Sequence, residues 1–269
     1  CTIQCSNVYA DVNGRTIVSP VEYETIGLVG SNLGIDSPDM IAHLNYQMND
    51  LGLDSIEMGA ALGVAAEAGL MDWGDGERAL DLMDEVRQGT PLGRVIGNGV
   101  VTCGRVFGVE RVPAVKGQAI SAYDPRAIKG TGVTYATSPQ GADHTCGLTI
   151  RAKVDHTSNQ GQVEVSRNAQ VSMAGYDSLG VCIMGGYAFA VDSGLVPDLV
   201  NGQHGWDVGS DYLSELGRET INLEREFNRR AGFTSADDRL PEWMTLEKLP
   251  PVDTTFDVAE ADLDVVFDW

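Results

Sequence analysis

Asp36-Ser37-Pro38-Asp39-Met40-Ile41 opens, and Asn49-Asp50-Leu51-Gly52-Leu53-Asp54-Ser55 closes, the stretch whose reading decides the fold class. A capping side chain precedes Pro38 and an acid follows it, the pattern of a helix start. Met40, Ile41, Leu44 and Met48 recur at helical spacing. Gly52 falls where a helix stops in the left-handed conformation. Ser55 is placed to cap a second helix carrying Ile56, Ala60, Val64 and Ala68, whose many Ala and Gly residues imply close helix–helix approach. The same punctuation repeats outward. Glu77 to Val86 is amphipathic, Gly89 stops it and Thr90-Pro91 starts another helix. Ser210 is expected to cap a long helix with Leu213, Leu216, Thr220, Leu223, Phe227 and Ala231 on one face, an i,i+4 pair at Glu226 and Arg230, and Gly232 as its stop. Convincing strands are few, so the chain reads as mainly α with few short strands.

Between these helices, Tyr9 to Pro20 reads as a loop or short hairpin, and Gly130 to Thr137 is small and apolar. Val154 to Val165 reads as a polar surface excursion. Val112-Pro113 breaks a Gly- and Val-rich passage, which places a domain boundary there and predicts domains 1–113 and 114–269. The tail from Pro250 carries Asp253, Asp257, Glu260, Asp262, Asp264 and Asp268, most simply a solvated acidic surface around a few apolar anchors.

At 269 residues and 43% hydrophobic content the chain is long and apolar enough to bury a large core. Its net charge of −21 repels nucleic acid and anionic membranes. Lys116, Lys129, Lys153 and Lys248 are its only lysines. Solubility accounts for such a surface; adaptation to high salt is the sharper reading, because screening relieves self-repulsion. Melting temperature should then rise with KCl, and a flat or falling trend would reject salt adaptation. The longest low-charge stretch, Met58 to Trp73, is too short and too rich in small residues to span a membrane. No basic, apolar leader opens the sequence, so a cytoplasmic location is expected.

Cysteines stand at 1, 5, 103, 146 and 182. An odd count in a chain expected to be cytoplasmic argues against a disulfide framework. Cys1-x-x-x-Cys5 is half of an iron–sulfur signature, which needs four thiolates. In Asp177-Ser178-Leu179-Gly180-Val181-Cys182 the cysteine is either a small buried apolar residue or a distant thiolate ligand. Glu24, within Val21 to Ile26, suits a helix first turn. His144 sits on a loop. No glycine-rich nucleotide loop follows a predicted strand. Asn49-x-x-Gly52-Leu53-Asp54 and Asp177-x-x-Gly180-Val181-Cys182 share one pattern: Asn or Asp, two residues, Gly, an aliphatic, then a polar or soft ligand. The repeat is read either as two halves of a site gripping one pseudo-symmetric ligand or as two coincident helix stops.

Through these and further motifs the chain closely resembles the C-terminal two domains of the tungsten-containing aldehyde ferredoxin oxidoreductase family. The resemblance runs through Glu22-Tyr23-Glu24-Thr25-Ile26, Gly30 to Asp36, Gly52-Leu53-Asp54-Ser55, Lys116-Gly117 and Ala122-Tyr123-Asp124-Pro125-Arg126. It continues through Tyr135-Ala136-Thr137-Ser138, Gly141-Ala142-Asp143-His144, Asp177 to Cys182, Asn222-Leu223-Glu224-Arg225 and Asn228 to Phe233. It implies two multihelical domains packed around a cofactor site, against an N-terminal pterin-binding domain that this sequence lacks. It implies a tungsten bis-pterin (tungstopterin, a molybdopterin-type cofactor), a 4Fe-4S cluster and electron transfer to ferredoxin during oxidation of an aldehyde to a carboxylic acid. On this resemblance Cys1, Cys5 and Cys182 match three cluster ligands, the other being expected three residues before Cys1. Asn49, Gly52, Leu53 and Asp54, with Asp177, Gly180 and Val181, match the two pterin-contacting turns; Asn49 replaces an Asp and Val181 a Leu. Glu24, His144 and Tyr123 match the groups near the metal. Family members are often oligomers. A related tungsten enzyme acting as an acyl-CoA ring reductase, and a non-catalytic fragment or subunit needing a separate N-terminal domain, remain as alternatives.

Overall fold

The computed structural model describes residues 3–269, apart from the side chains of Tyr187 and Ala190. Cys1 lies outside the described residues. The chain divides into two compact units, Cys1–Asp124 and Pro125–Trp269.

The first unit begins with an antiparallel pair, β1 (Tyr9–Ala10) and β2 (Thr16–Val18). A short helix α1 (Tyr23–Thr25) runs directly into a π-helical turn, Ile26–Gly30, and a 3-10 turn, Ser31–Leu33. Then follow α2 (Pro38–Leu51), α3 (Ser55–Glu67), α4 (Gly76–Gln88), α5 (Pro91–Ile96) and α6 (Val100–Phe107), and a hairpin of β3 (Ala114–Val115) and β4 (Gln118–Ala119). The expected starts and stops are largely in place. Ser37 caps α2 by accepting from Met40 N–H, and Thr90 Oγ1 caps α5 by accepting from Gly93 N–H. The cap of α3 is Asp54 rather than Ser55: its carboxylate accepts from Ile56 and Glu57 N–H, while Ser55 Oγ pairs with Thr25 Oγ1 at 2.8 Å. α3 is the centre of the core, with Met58 through Ala66 buried in an unbroken run. Around it pack Leu33, Leu44, Met48, Leu82, Met83 and Ile96.

The hairpin belongs to the first unit, so the division falls at Asp124–Pro125 and not after Pro113. A single carboxylate holds it there. Glu57 Oε1 accepts from Val100 N–H at 2.7 Å and Oε2 from Ala119 N–H at 2.9 Å. One side chain thus satisfies an orphan donor at the start of α6 and fixes β4 against α3.

The second unit contains α7 (Lys129–Thr137), α8 (Gln162–Ser178), α9 (Gly186–Val191), α10 (Leu195–His204), α11 (Tyr212–Ala231), α12 (Trp243–Leu246) and α13 (Glu260–Asp264). α7 is buried along its whole length. α8 begins at Gln162, inside what reads as a surface excursion, and buries a polar stripe of Gln162, Ser166 and Gln170. Thr134 Oγ1 meets Ser166 Oγ at 2.7 Å, and Gln170 Nε2 donates to Thr137 Oγ1 and Ser166 Oγ at 3.1 Å each. These bonds satisfy groups that would otherwise be buried at a cost of about 1–3 kcal/mol apiece.

α11 differs from expectation. No side chain caps it. Its buried residues are Gly217 and Ile221, while Leu223 and Phe227 are 65% and 72% exposed. Close approach decides the face: α11 turns Gly217 toward α8, and Leu223 and Phe227 lie off that line. The Glu226–Arg230 pair forms at 2.7 Å.

The acidic tail is docked. Phe256, Val258, Leu263 and Val266 are buried anchors. Its acids also find partners: Asp253 with Lys248 at 2.8 Å, Asp264 with Arg239 at 2.7 Å, and Asp257 with Lys129 at 2.6 Å. The Lys129 side chain is only 2% exposed. Removing Asp257 leaves that ammonium buried without its counter-ion, so Asp257→Ala should cost about 2 kcal/mol in urea melts, below the range for a fully buried pair because Asp257 is half exposed. Adding Lys129→Met should recover most of that loss. Equal stability of the single variant and the wild type would overturn this reading.

Candidate functional site

In the first unit, Glu24 and Tyr123 are brought together. Glu24 is 5% exposed, and its Oε2 accepts from the backbone N–H of Ala122 at 2.6 Å. Tyr23 and Tyr123 stack with ring centroids 5.3 Å apart. Gly27 makes room for this: a Cβ there would lie 2.5 Å from Ala122 Cβ. The helix bearing Glu24 is anchored by the Thr25–Ser55 hydroxyl pair, and the segment bearing Tyr123 follows the hairpin held by Glu57. Glu57 is a positioning residue that the sequence reading passed over. Its signal was available, a carboxylate in the first turn followed by an unbroken small and apolar run from Met58 to Ala66.

The paired turns have the same backbone. Gly52 N–H donates to Asn49 C=O and Leu53 N–H to Met48 C=O, at 3.1 and 2.9 Å. Gly180 N–H donates to Asp177 C=O and Val181 N–H to Tyr176 C=O, at 3.0 and 2.9 Å. Both glycines are left-handed, with φ of 69° and 67°. Gly89 and Gly232 stop their helices with the same two bonds, so the backbone shape alone marks no site. What sets the two turns apart is their side chains. Neither Asn49 nor Asp177 spends its side chain on its own cap. Asp54 does: its carboxylate caps α3.

In the second unit, Asp177 lines a cavity of about 260 Å³ with Cys146, Gln170, Ser178, Thr220 and Glu224. Partial burial, and then the charge of Asp143, push the Asp177 carboxyl up. Burial, and then Asp177, push Glu224 up. Glu224 and Cys146 are cavity residues the sequence reading missed, since α8 and α11 meet only in the fold. Two carboxylates raised in one cavity favour a ligand presenting N–H donors. Without such a ligand they oppose folding: a raised acid costs stability as pH climbs through its folded pKa, and the cost vanishes below the ordinary carboxylate range. Glu224→Gln should therefore raise the melting temperature at pH 7 by about 1–3 °C and flatten its pH dependence just above that range. An unchanged or lowered value would contradict this.

His144 is half-buried on a loop held by Asp143. The Asp143 carboxylate accepts from Thr145 N–H, Thr145 Oγ1 and Cys146 N–H at 2.7, 3.0 and 2.9 Å. Burial alone would push Asp143 up; these hydrogen bonds outweigh it and hold the group below the usual range.

The thiols divide into two kinds. Burial, and then Glu57, push Cys103 up to about 12, and burial, and then Asp143, push Cys146 up as well. Both are poor thiolates. Cys5 and Cys182 are exposed. Among the described residues, no group of three or more His, Cys, Asp or Glu side chains is placed to hold a metal ion. The carboxylates in the 260 Å³ cavity suit a ligand bearing N–H groups, whereas the described residues do not assemble a cluster ligand set. Among them, too, no helix is long and apolar enough to cross a membrane.

The family model for aldehyde ferredoxin oxidoreductase, domains 2 and 3, matches residues 1–266. The tungsten-containing aldehyde ferredoxin oxidoreductases of Pyrococcus furiosus and Thermococcus kodakarensis are each 28% identical over 274 residues, covering 93% of this chain and 45% of theirs. A protein of P. furiosus described as an aliphatic sulfonate oxidoreductase, WOR-like subunit, is 26% identical over 253 residues, covering 84% of this chain and 38% of its own. Among solved structures, the active-site complex BamBC of benzoyl coenzyme A reductase, bound to 1,5-dienoyl-CoA, superposes with a TM-score of 0.69 at 12% identity, over 93% of this chain and 46% of that one. That likeness concerns the fold alone. The chain spans about half the length of the curated relatives it matches. With the family match running over nearly its whole length, the chain belongs to the aldehyde ferredoxin oxidoreductase family, an oxidoreductase family, and corresponds to domains 2 and 3.

Proposed function

We propose that this chain forms the C-terminal half of a tungstopterin enzyme that oxidises aldehydes to carboxylic acids with ferredoxin as electron acceptor. The observation that carries this is the buried Glu24 carboxylate, held on the N–H of Ala122 beside the Tyr23–Tyr123 stack. Converting an aldehyde to an acid adds one water at the carbonyl carbon and releases two protons and two electrons. Glu24 would be the base that takes the proton from that water. Tyr123 would donate a hydrogen bond to the substrate oxygen. His144 would polarise the carbonyl or accept a proton. When bound, the tungsten–pterin group would supply a two-electron acceptor, and a 4Fe-4S cluster held in part by Cys1, Cys5 and Cys182 would supply one-electron transfer.

Asn49 to Asp54 and Asp177 to Val181 are proposed as the pterin contacts. Support comes from the side chains of Asn49 and Asp177, which their own helix stops do not use, and from the raised carboxylates at Asp177 and Glu224, which suit N–H donors. Cys1, Cys5 and Cys182 are proposed as cluster ligands, supported at Cys5 and Cys182 by exposure, where Cys103 is buried, Cys146 half-buried and both are poorly ionised. The test is an assay of the complete tungsten-loaded protein on simple aldehydes with a viologen acceptor. Turnover supports the proposal; loaded protein without aldehyde activity overturns it, and reduction of an aryl acyl-CoA instead would assign the ring-reductase alternative.

A further inference from the structure

α8 and α11 cross where both are glycine. A Cβ on Gly175 would lie 2.6 Å from Leu213 O, and one on Gly217 would collide with Val171 O. Two cavities flank this contact, each lined by residues of both helices. The opening between their C-terminal halves is the acidic one that holds Asp177 and Glu224. The opening between their N-terminal halves is larger, about 430 Å³, and its character is opposite.

α8 contributes Arg167, Asn168 and Ser172 to it, and α11 contributes Ser214 and Arg218. Val171 and the Trp269 ring form its apolar part. No acidic residue lines it, in a chain with 39 acids against 18 bases. The arginines there are not neutralised. On α11, Arg225, Arg229 and Arg230 each pair with a carboxylate, whereas Arg218 lies over Trp269, 5.7 Å from its centroid, and makes no ion pair among the described residues. Arg167 makes neither ion pair nor hydrogen bond among them.

We infer that this cavity is a binding site for an organic oxyanion, a phosphate or carboxylate carried on an apolar or aromatic body. Two guanidinium groups supply planar, paired donors suited to either oxyanion. The two serine hydroxyls and the Asn168 amide add further donors. Val171 and Trp269 receive the rest of the ligand, and the volume lies within the range of small-molecule sites. The overall charge of −21 disfavours anions at long range, so the site would act by contact, at short distance. None of its residues belongs to the groups assigned to aldehyde chemistry.

The experiment is calorimetric titration of the purified chain in KCl concentrated enough to screen its net charge, with phenyl phosphate, benzoate and, as a cationic control, benzylamine. At least one anion should bind at a single site and raise the melting temperature; benzylamine should do neither. Binding of phenyl phosphate alone assigns a phosphorylated ligand, and binding of benzoate alone a carboxylate. Arg167→Gln and Arg218→Gln should each weaken binding about tenfold or more, and leave the unliganded melting temperature within about 2 °C. No binding of either anion, equal binding of benzylamine, or undiminished affinity in the double variant overturns the site.

Discussion

Gly217→Ala is expected to destabilise the second unit by about 3 kcal/mol or more, the upper end of what overpacking costs. The reason is where the new methyl would go. It would overlap the carbonyl oxygen of Val171, in the middle of α8, with the carbonyl carbon 3.0 Å away. That carbonyl is part of a helix, so it cannot swing aside as a flexible side chain does; the helices would have to separate, opening the contact around Gln170, Val171 and Ile221. Gly175→Ala should behave similarly, since its Cβ would meet the backbone of Leu213. Gly202 in α10 is the control: nothing lies within 4 Å of a Cβ there, and its φ is not left-handed. Gly202→Ala should be neutral or stabilise by about 0.5–1 kcal/mol. Urea midpoints for the three variants decide the matter, and a Gly217→Ala midpoint equal to that of wild type would show that the two helices do not approach as described.

The second large effect concerns activity. In the complete tungsten-loaded protein, Glu24→Gln should lower kcat about 100-fold or more, the range for loss of a general base. The amide oxygen of glutamine can still accept from Ala122 N–H, so the local structure should persist, and only basicity is lost. A melting temperature close to wild type together with the fall in kcat separates chemistry from folding. Tyr123→Phe keeps the ring against Tyr23 and removes a single hydroxyl, so a fall of about tenfold is expected, one hydrogen bond's worth. If Glu24→Gln turned over aldehydes within a few-fold of wild type, Glu24 would not be the base.

How much of this was legible in the sequence depended on what each helix buries. α2 and α4 bury one apolar face and expose the other, so spacing and caps place them. α7 is buried all round, Lys129 included, which erases periodicity. α8 hides its face for another reason: it buries Gln162, Ser166 and Gln170, residues that read as solvent-facing. α11 misleads in the opposite sense, carrying Leu223 and Phe227 outward while a glycine makes the contact. The candidate site followed a similar division. Glu24, Tyr123 and His144 were named by resemblance, and no spacing rule selects them. Neither the Glu24 bond to Ala122 nor the meeting of Asp177 with Glu224 has a sequence signature, because each joins segments far apart in the chain.

The two helix stops at Gly52 and Gly180 are closed by backbone atoms alone. Whatever residue stands at 49 or 177, the last carbonyls are still satisfied by the glycine and its successor. The side chain at that position is released from any duty to the scaffold. Asn can occupy one stop and Asp the other at no cost to the helix. Such positions are where a fold stays tunable: recognition can drift from amide to carboxylate, and back, while the architecture that presents it stays fixed.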